Sequence, residues 1–294
     1  MTSDTATTQP PQSAGWRGTF AGFALGLSIF SILWFAIAAV GTKLGFWTWQ
    51  VGLGLMTIGW GPLLLMAATG VSLLAVIIAL IKAPRKQAAM LAFAALLISG
   101  LAFGRVAAFG AQAGRLPPLH DIQTDWSDPI RPSDTLAYAR ESSGALNPMQ
   151  DDPVIEDAAN DRWPGMGGRR VAEVQEEAEF NPAVHKSPKE TPYPLIAPLI
   201  TKTTPEDAFV AVEEAVKARG WTVVQSVPNQ GRLEATDESF WFGFKDDVII
   251  RVRTDAAGAR VDVRSTSRVG LSDLGANSKR IRDLLDEIEV RLSK

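Results

Sequence analysis

The chain has 294 residues, no cysteine and a formal net charge of −3 at pH 7. Without cysteine it can form no disulfide, no thiolate site and no lipidated cysteine anchor. Residues 1–111 hold six Lys or Arg and one acidic residue, whereas residues 112–294 hold 23 basic and 31 acidic residues. This acidic second part argues against nucleic acid as a partner, because duplex binding depends on clustered basic side chains.

Three apolar runs in the first third of the chain predict membrane-spanning helices over about residues 18–40, 55–81 and 88–109. Each run has about the twenty residues needed to cross a hydrocarbon core. Pro62 and several nearby glycines make the start of the second span uncertain. A signal peptide has a shorter apolar core, and the two later spans would anchor the chain after any cleavage. We therefore expect residues 18–111 to lie in a lipid bilayer.

The only basic cluster between these spans consists of Lys82, Arg85 and Lys86. The positive-inside rule places such a loop in the cytoplasm. This predicts a cytoplasmic tail at residues 1–17 and sends the long carboxy-terminal region to the other side of the membrane.

Gly18, Gly22 and Gly26 recur every four residues on the first predicted helix. Small residues at this spacing allow another helix backbone to approach closely. The partner could be a second span of the same chain or a second copy, so oligomerisation through these glycines is possible.

Residues 112–200 are expected to form a proline-rich tether with local order, because twelve of the eighteen prolines lie between Pro117 and Pro198. Within this segment His120, Asp121 and Asp125 could suggest a metal site. Their irregular spacing does not supply the ligand set of a closed zinc site. We interpret them as a polar turn, and the sequence predicts no metal and no cofactor.

Residues 201–294 are predicted to form an α+β domain, with an antiparallel meander and two helices packed on one face of the sheet. The first helix is expected from Thr204 to Gly220, because Thr204 can cap it, Pro205 suits its first position and Gly220 ends it. The last helix is expected over 276–292. The strands are expected at Trp221–Val227, Arg232–Asp237, Phe240–Lys245, Val248–Arg253 and Ala259–Ser267.

Alternation in the last two strands predicts their register. The expected pairs are Val252 with Val261, Ile250 with Val263, and Arg251 with Asp262. A cross-strand charge pair contributes only about 0.2 to 1 kcal/mol, so Asp262→Ala is expected to cost little.

The other face of the sheet would be aromatic and basic if a tight turn occurs at Asp246 and Asp247. This turn would align Phe240, Phe242 and Phe244 with Ile249, Arg251 and Arg264. Such a face would bind a peptide, a lipid headgroup or a neighbouring subunit. Alternatively, the proline-rich segment folds back over it.

Several long stretches of this sequence resemble a known family. They are LPPLHDIQTDWSDP at 116–129, RLEATD at 232–237, WFGFKDDV at 241–248, VDVRSTSRVG at 261–270 and SDLGAN at 272–277. They resemble the family numbered 1499 among the domains of unknown function, over roughly the last two thirds of the chain. Leu271 departs from the polar or basic residue that the resemblance leads us to expect. The three-span prefix is similar to a common bacterial arrangement, which implies an inner-membrane protein with a periplasmic domain. The resemblance implies no established activity.

Residues 264–277 contain the densest polar cluster of the predicted domain. Arg264 and Arg268 offer planar donors for an anion, and Asp273 and Asn277 lie beside a helix start. Alternatively, Asp273 or Asn277 caps that helix, and the arginines form ion pairs with Asp262 or Asp246. The candidate binding residues are therefore Trp241, Phe242, Phe244, Arg251, Arg264, Arg268, Asp273 and Asn277.

No catalytic constellation is recognisable, since a hydrolase needs a positioned nucleophile and base and the chain has two histidines. The sequence favours a binding or assembly module of the cell envelope, with an envelope protein or an anionic ligand as its partner. The alternative is an enzyme that modifies an envelope lipid or glycan, with a site around Arg264 to Asn277.

Overall fold

A computed structural model describes residues 15–81, 85–187 and 189–293. The chain divides into two compact units, residues 1–111 and residues 112–294. Most of the expected cytoplasmic tail, and Lys82 of the basic loop, lie outside the described residues.

The first unit contains three helices that are long and apolar enough to cross a membrane, as predicted. Helix α1 spans Trp16–Lys43, helix α2 spans Gly61–Ile81 and helix α3 spans Lys86–Ala113. A π-helical stretch, Gln50–Trp60, leads directly into α2, so the second apolar helix begins earlier than residue 55. Gly52 is required in this stretch, because a Cβ there would lie 1.8 Å from the Thr42 hydroxyl.

Helices α1 and α2 pack through small buried residues. The Ser28 and Ser72 hydroxyls lie 3.1 Å apart, and Ala21 and Ala24 are fully buried. By contrast, a Cβ added at Gly22 or Gly26 would meet nothing within 4 Å. The expected close approach through these glycines is therefore absent between described helices of the same chain, and the contact uses alanine and serine instead.

In its described residues, the second unit contains an antiparallel sheet and four α-helices. Its helices are α4 at Asp134–Ser142, α5 at Val171–Ala178, α6 at Pro205–Ala218 and α7 at Ala276–Leu292. Its strands are β1 at Asp121–Gln123, β2 at Leu199–Thr201, β3 at Thr222–Val227, β4 at Arg232–Glu238, β5 at Lys245–Asp255 and β6 at Gly258–Ser267. The strand order is β1-β6-β5-β4-β3, and β2 also pairs with β6.

Helices α6 and α7 cover one face of this sheet, as the sequence predicts. The Thr204 side chain caps α6 by accepting a hydrogen bond from the Asp207 amide at 3.1 Å. Ile250 pairs with Val263 in the predicted register, and both are fully buried. They belong to one apolar core, which includes Phe209, Val212, Ile281, Leu284 and Ile288.

The predicted strand at Phe240–Lys245 is wrong. Residues 239–244 form the loop between β4 and β5, and Asp246 and Asp247 lie within β5 rather than in a turn. Ser239 closes this loop, because its amide donates to the Phe244 carbonyl at 2.8 Å. Gly243 adopts φ +69°, a conformation that suits a reversal of the chain better than a strand.

Residues 112–200 differ from the expected tether. They supply β1, β2, α4 and α5, and Leu119, Ile122 and Tyr193 are buried in the core beneath α6 and α7. Their prolines are compatible with this packing, because most of the segment crosses the surface in irregular conformations that need no regular backbone ladder.

Candidate functional site

Arg264, a candidate anion ligand, is fully buried and forms an ion pair with Asp121 of β1. Its Nε and Nη2 donate to the two carboxylate oxygens at 3.0 and 2.6 Å. Two further N–H groups reach the carbonyls of Ile130 at 2.7 Å and Gln150 at 2.6 Å. These contacts use four of the five N–H donors of a fully buried guanidinium, so in this arrangement Arg264 is not accessible to an external anion.

Arg268 is occupied in a similar way by Asp247 of β5. It donates to both oxygens of that carboxylate, at 2.9 and 2.7 Å, and Arg140 of α4 donates to the same group at 2.5 Å. The Asp247 side chain is fully buried. Two arginines on one buried carboxylate make this a structural cluster, and the expected partners Asp262 and Asp246 are not used by Arg268.

Arg251 lies opposite Asp262, as predicted, and its Nη2 is 3.4 Å from that carboxylate. Arg253 and Arg260 also reach Asp262, at 3.1 and 2.8 Å. The Asp262 side chain is fully buried, whereas the three arginines keep 20 to 36% of their side-chain area exposed. The predicted charge pair is therefore one edge of a larger cluster.

Asp273 and Asn277 have structural contacts at the start of α7. Asp273 accepts from the amides of Gly275 at 2.7 Å and Asn277 at 2.9 Å, which caps the helix. Desolvation raises the pKa of the Asp273 carboxyl to about 6, although these amides favour its charged form. The buried Asn277 side chain joins the Ser265 hydroxyl to the His120 carbonyl.

Trp241, Phe242 and Phe244 lie in the loop at 239–244 and not on the face that carries Arg251 and Arg264. The Phe242 and Phe244 rings stack on each other with centroids 5.3 Å apart. Trp241 is 56% exposed and meets Phe240, 77% exposed, edge to face. The eight candidate residues therefore do not form one site. Residues 112–200 cover the sheet face that carries the arginines. This is the alternative arrangement given above, in which the proline-rich segment folds back over the sheet.

A cleft that the sequence did not predict lies between α5 and the residues after β1. Its volume is about 310 Å³, and Trp126, Gln175 and Glu179 line it. The Gln175 carbonyl oxygen accepts from the Trp126 indole at 2.7 Å, and its amide nitrogen donates to Glu179 at 2.6 Å. Desolvation by burial raises the pKa of the Glu179 carboxyl to about 7. Perturbed carboxyls in clefts often mark functional sites.

In the parts of the chain that the structure describes, no group of three or more His, Cys, Asp or Glu residues is arranged to hold a metal ion. Burial lowers the pKa of His120, and its neighbour Asp121 is held by Arg264.

Three helices able to cross a membrane, followed by an antiparallel α+β unit, define the architecture of a membrane protein with a separate folded domain. The sequence matches the family described as "Protein of unknown function (DUF1499)" over residues 121–288. The match covers more than half of the chain, so this protein belongs to that family. No curated protein matches the chain.

Proposed function

We propose that the protein is a binding module of a bacterial cell envelope, anchored in the inner membrane with its amino terminus in the cytoplasm. The carboxy-terminal unit then binds its ligand in the periplasm. Arg85 and Lys86, beside Lys82, support this orientation through the positive-inside rule.

The orientation is tested with a reporter enzyme that is active only in the periplasm. Fused after Gly114, it is expected to be active, and fused at Arg85 it is expected to be silent. The reverse pattern would contradict the proposed topology.

The cleft between α5 and the residues after β1 is the observation that carries the binding role. Its walls are held in place, because Gln175 accepts from the Gln123 amide at 3.2 Å and donates to the Gln123 carbonyl at 2.8 Å. A wall fixed by hydrogen bonds loses little conformational entropy when a ligand arrives. The arginine cluster around residues 264 and 268 supports a scaffold role rather than ligand binding.

The charges around the cleft favour an uncharged ligand. Four carboxyl groups line it and would repel an anion, those of Asp125, Glu173, Glu176 and Glu179. The cation Arg170 also lines it, but it already pairs with Asp152 at 2.9 Å. The Arg264 guanidinium lies 5.4 Å from the Trp126 ring centroid, so a second cation on this ring would be opposed by a charge already present. A ring with apolar faces beside carboxyl and amide groups suits a neutral sugar unit of an envelope glycan.

Ligand-observed NMR on the full chain in lipid nanodiscs tests this role, with purification in a detergent that carries no sugar headgroup. Glucose or N-acetylglucosamine is expected to bind saturably, whereas choline and inorganic phosphate are not. Trp126→Phe should weaken the binding, because it removes the indole donor to Gln175 and shrinks the apolar surface.

Trp221→Phe is the matched control, because the Trp221 ring also lies 5.4 Å from an arginine, Arg219, and packs against the same core. Absence of sugar binding, or equal effects of the two substitutions, would contradict the proposed ligand class.

The alternative function is an enzyme that modifies an envelope lipid or glycan. Residues 264–277 give it little support, since their polar groups are held in ion pairs and caps. Glu179 gives it more, because a carboxyl with a pKa near 7 suits proton transfer. Release of a product from envelope glycan, lost in Glu179→Gln, would favour this alternative over simple binding.

Association of two copies through Gly18, Gly22 and Gly26 belongs to the same proposal. Gly22 and Gly26 face open space in the described unit, so the surface remains accessible to a second α1. Gly22→Leu is expected to reduce crosslinking between copies in membranes without disturbing the α1–α2 contact. Unchanged crosslinking would exclude this interface.

A further inference from the structure

Apolar side chains are exposed together at one end of the second unit. Trp241 and Phe240 project from the β4–β5 loop, and Leu274, between β6 and α7, is 41% exposed. The Arg268 amide donates to the Lys245 carbonyl at 3.0 Å, so the first residue after the β4–β5 loop is joined directly to the first residue after β6. The loop at 239–244 and the connection at 268–275 therefore share this end of the sheet.

The chain from α3 enters the second unit at the same end. The Leu119 carbonyl accepts from the Asp273 amide, and the His120 carbonyl accepts from the Ser267 amide, both at 2.8 Å. Helix α3 ends at Ala113. The six residue steps from Ala113 to Leu119 can span at most roughly 20 Å.

Leu274 is held in a conformation that leucine rarely adopts. Its φ of +54° is the only positive value at a non-glycine position among the described residues. Glycine or asparagine would fit this position with less strain. Backbone strain of this kind is commonly retained where a side chain has a function.

Basic residues accompany these apolar side chains. Arg115, in the entering segment, is exposed, and so is Lys245, directly after the β4–β5 loop and opposite Glu238 of β4. Basic side chains beside exposed aromatic rings are typical of segments that contact anionic lipid headgroups, because the rings favour the interfacial region and the charges attract the lipid.

We propose that this end of the second unit docks on the lipid bilayer, with Trp241 and Leu274 entering the headgroup region. The chain already requires a bilayer for its three apolar helices, and its connection to α3 is short. This docking is independent of the proposed ligand in the cleft, which is lined by other residues.

The absence of cysteine allows this proposal to be tested with single labels. Trp241→Cys and Leu274→Cys, each carrying an environment-sensitive fluorophore, are compared in single-protein nanodiscs of phosphatidylethanolamine and phosphatidylglycerol. Ala256→Cys is the control, because residue 256 is exposed in the β5–β6 turn at the opposite end of β5.

Labels at 241 and 274 are expected to show blue-shifted emission and severalfold stronger quenching by lipids that carry a headgroup-level nitroxide. The label at 256 should show neither effect. Equal signals at both ends of the sheet would overturn the proposal. It would also be overturned if positions 241 and 274 became shielded only in native membranes, since that result indicates a protein partner.

Discussion

The two faces of the sheet are both buried, yet they are built from different chemistry. One face packs Ile250 and Val263 beneath α6 and α7, and the other buries Arg264, Asp121 and Asp247. Apolar packing tolerates any partner of suitable size, whereas a buried charge requires one particular partner with suitable geometry. The first face can therefore be assembled from local patterns, and the second depends on residues distant in the sequence.

The largest loss of stability is expected from breaking the Arg264–Asp121 pair. Arg264→Met leaves Asp121 charged and buried, which should destabilise the unit by about 3 to 5 kcal/mol. Pulse proteolysis of the second unit in urea measures this change. The double variant Arg264→Met with Asp121→Leu should recover much of it.

Arg131 provides the control, because it pairs with Asp151 on the surface with 76% of its side chain exposed. Arg131→Met should change stability by less than about 0.5 kcal/mol. Equal losses at the two positions would mean that burial does not distinguish these ion pairs.

Ile249 and Ile250 are adjacent in β5 and lie on opposite faces of the sheet, so substitutions at these two positions allow the faces to be compared. Ile250 lies in the large core, and Ile249 lies in a small cluster with Ile130 and Leu136, although both side chains are fully buried. Ile250→Ala should cost about 2 to 5 kcal/mol, with Ile249→Ala in the lower half of this range. Urea unfolding of both variants tests the difference. A larger loss of stability in Ile249→Ala would show that the small cluster contributes more than the large core.

Glu179 should make stability depend on pH. Its pKa is raised from 4.5 in the unfolded chain to about 7, so the folded state binds a proton more tightly. Stability should therefore fall as pH rises from about 4.5 through 7. Glu179→Gln should flatten this dependence and relieve about 1 to 3 kcal/mol above pH 7.

The exposed Glu141 of α4, which does not line the cleft, supplies the control, and Glu141→Gln should leave the pH dependence unchanged. Denaturation midpoints measured between pH 5 and 8 check both variants. Identical profiles for Glu179→Gln and the unmodified chain would exclude Glu179 as the source.

Apart from the controls, Asp262→Ala is expected to have the smallest effect, about 1 to 2 kcal/mol. The sequence alone suggested a smaller loss, because it showed one cross-strand partner. The structure adds Arg253 and Arg260, but all three arginines can be hydrated after the substitution. Urea unfolding checks the value. A loss of stability as large as that of Arg264→Met would show that hydration of the partly exposed arginines does not compensate for the missing carboxylate.

The three apolar helices, α6, α7, the strands β3, β4 and β6 and the β5–β6 register could be predicted because they follow from periodicity, caps and glycine positions. Helices α4 and α5 were missed, because their short segments lie among the prolines of residues 112–200. Apolar alternation alone placed Val252 opposite Val261. The loop at Phe240 was missed because its alternating aromatic residues imitate a strand, although Gly243 was a signal for a reversal.

The Asp247 partner of Arg268 was missed because the sequence analysis assigned Asp247 to a turn instead of β5. The partner of Arg264 could not be predicted from spacing. Asp121 lies 143 residues before Arg264, and no local pattern relates two charges at that separation. The cleft at Trp126 was missed for the same reason, since Gln175 joins it through a hydrogen bond across 49 residues.

The short strands β1 and β2 determine where a soluble fragment of the second unit can begin. Together they cover the outer edge of β6, while β3 at the opposite edge has an irregular register between Val223 and Gln225. Open strand edges recruit other chains, and irregular or covered edges resist this. A fragment beginning at residue 201 would expose the β6 edge and the buried charges together. Such a fragment should aggregate, whereas one beginning near residue 112 retains both coverings.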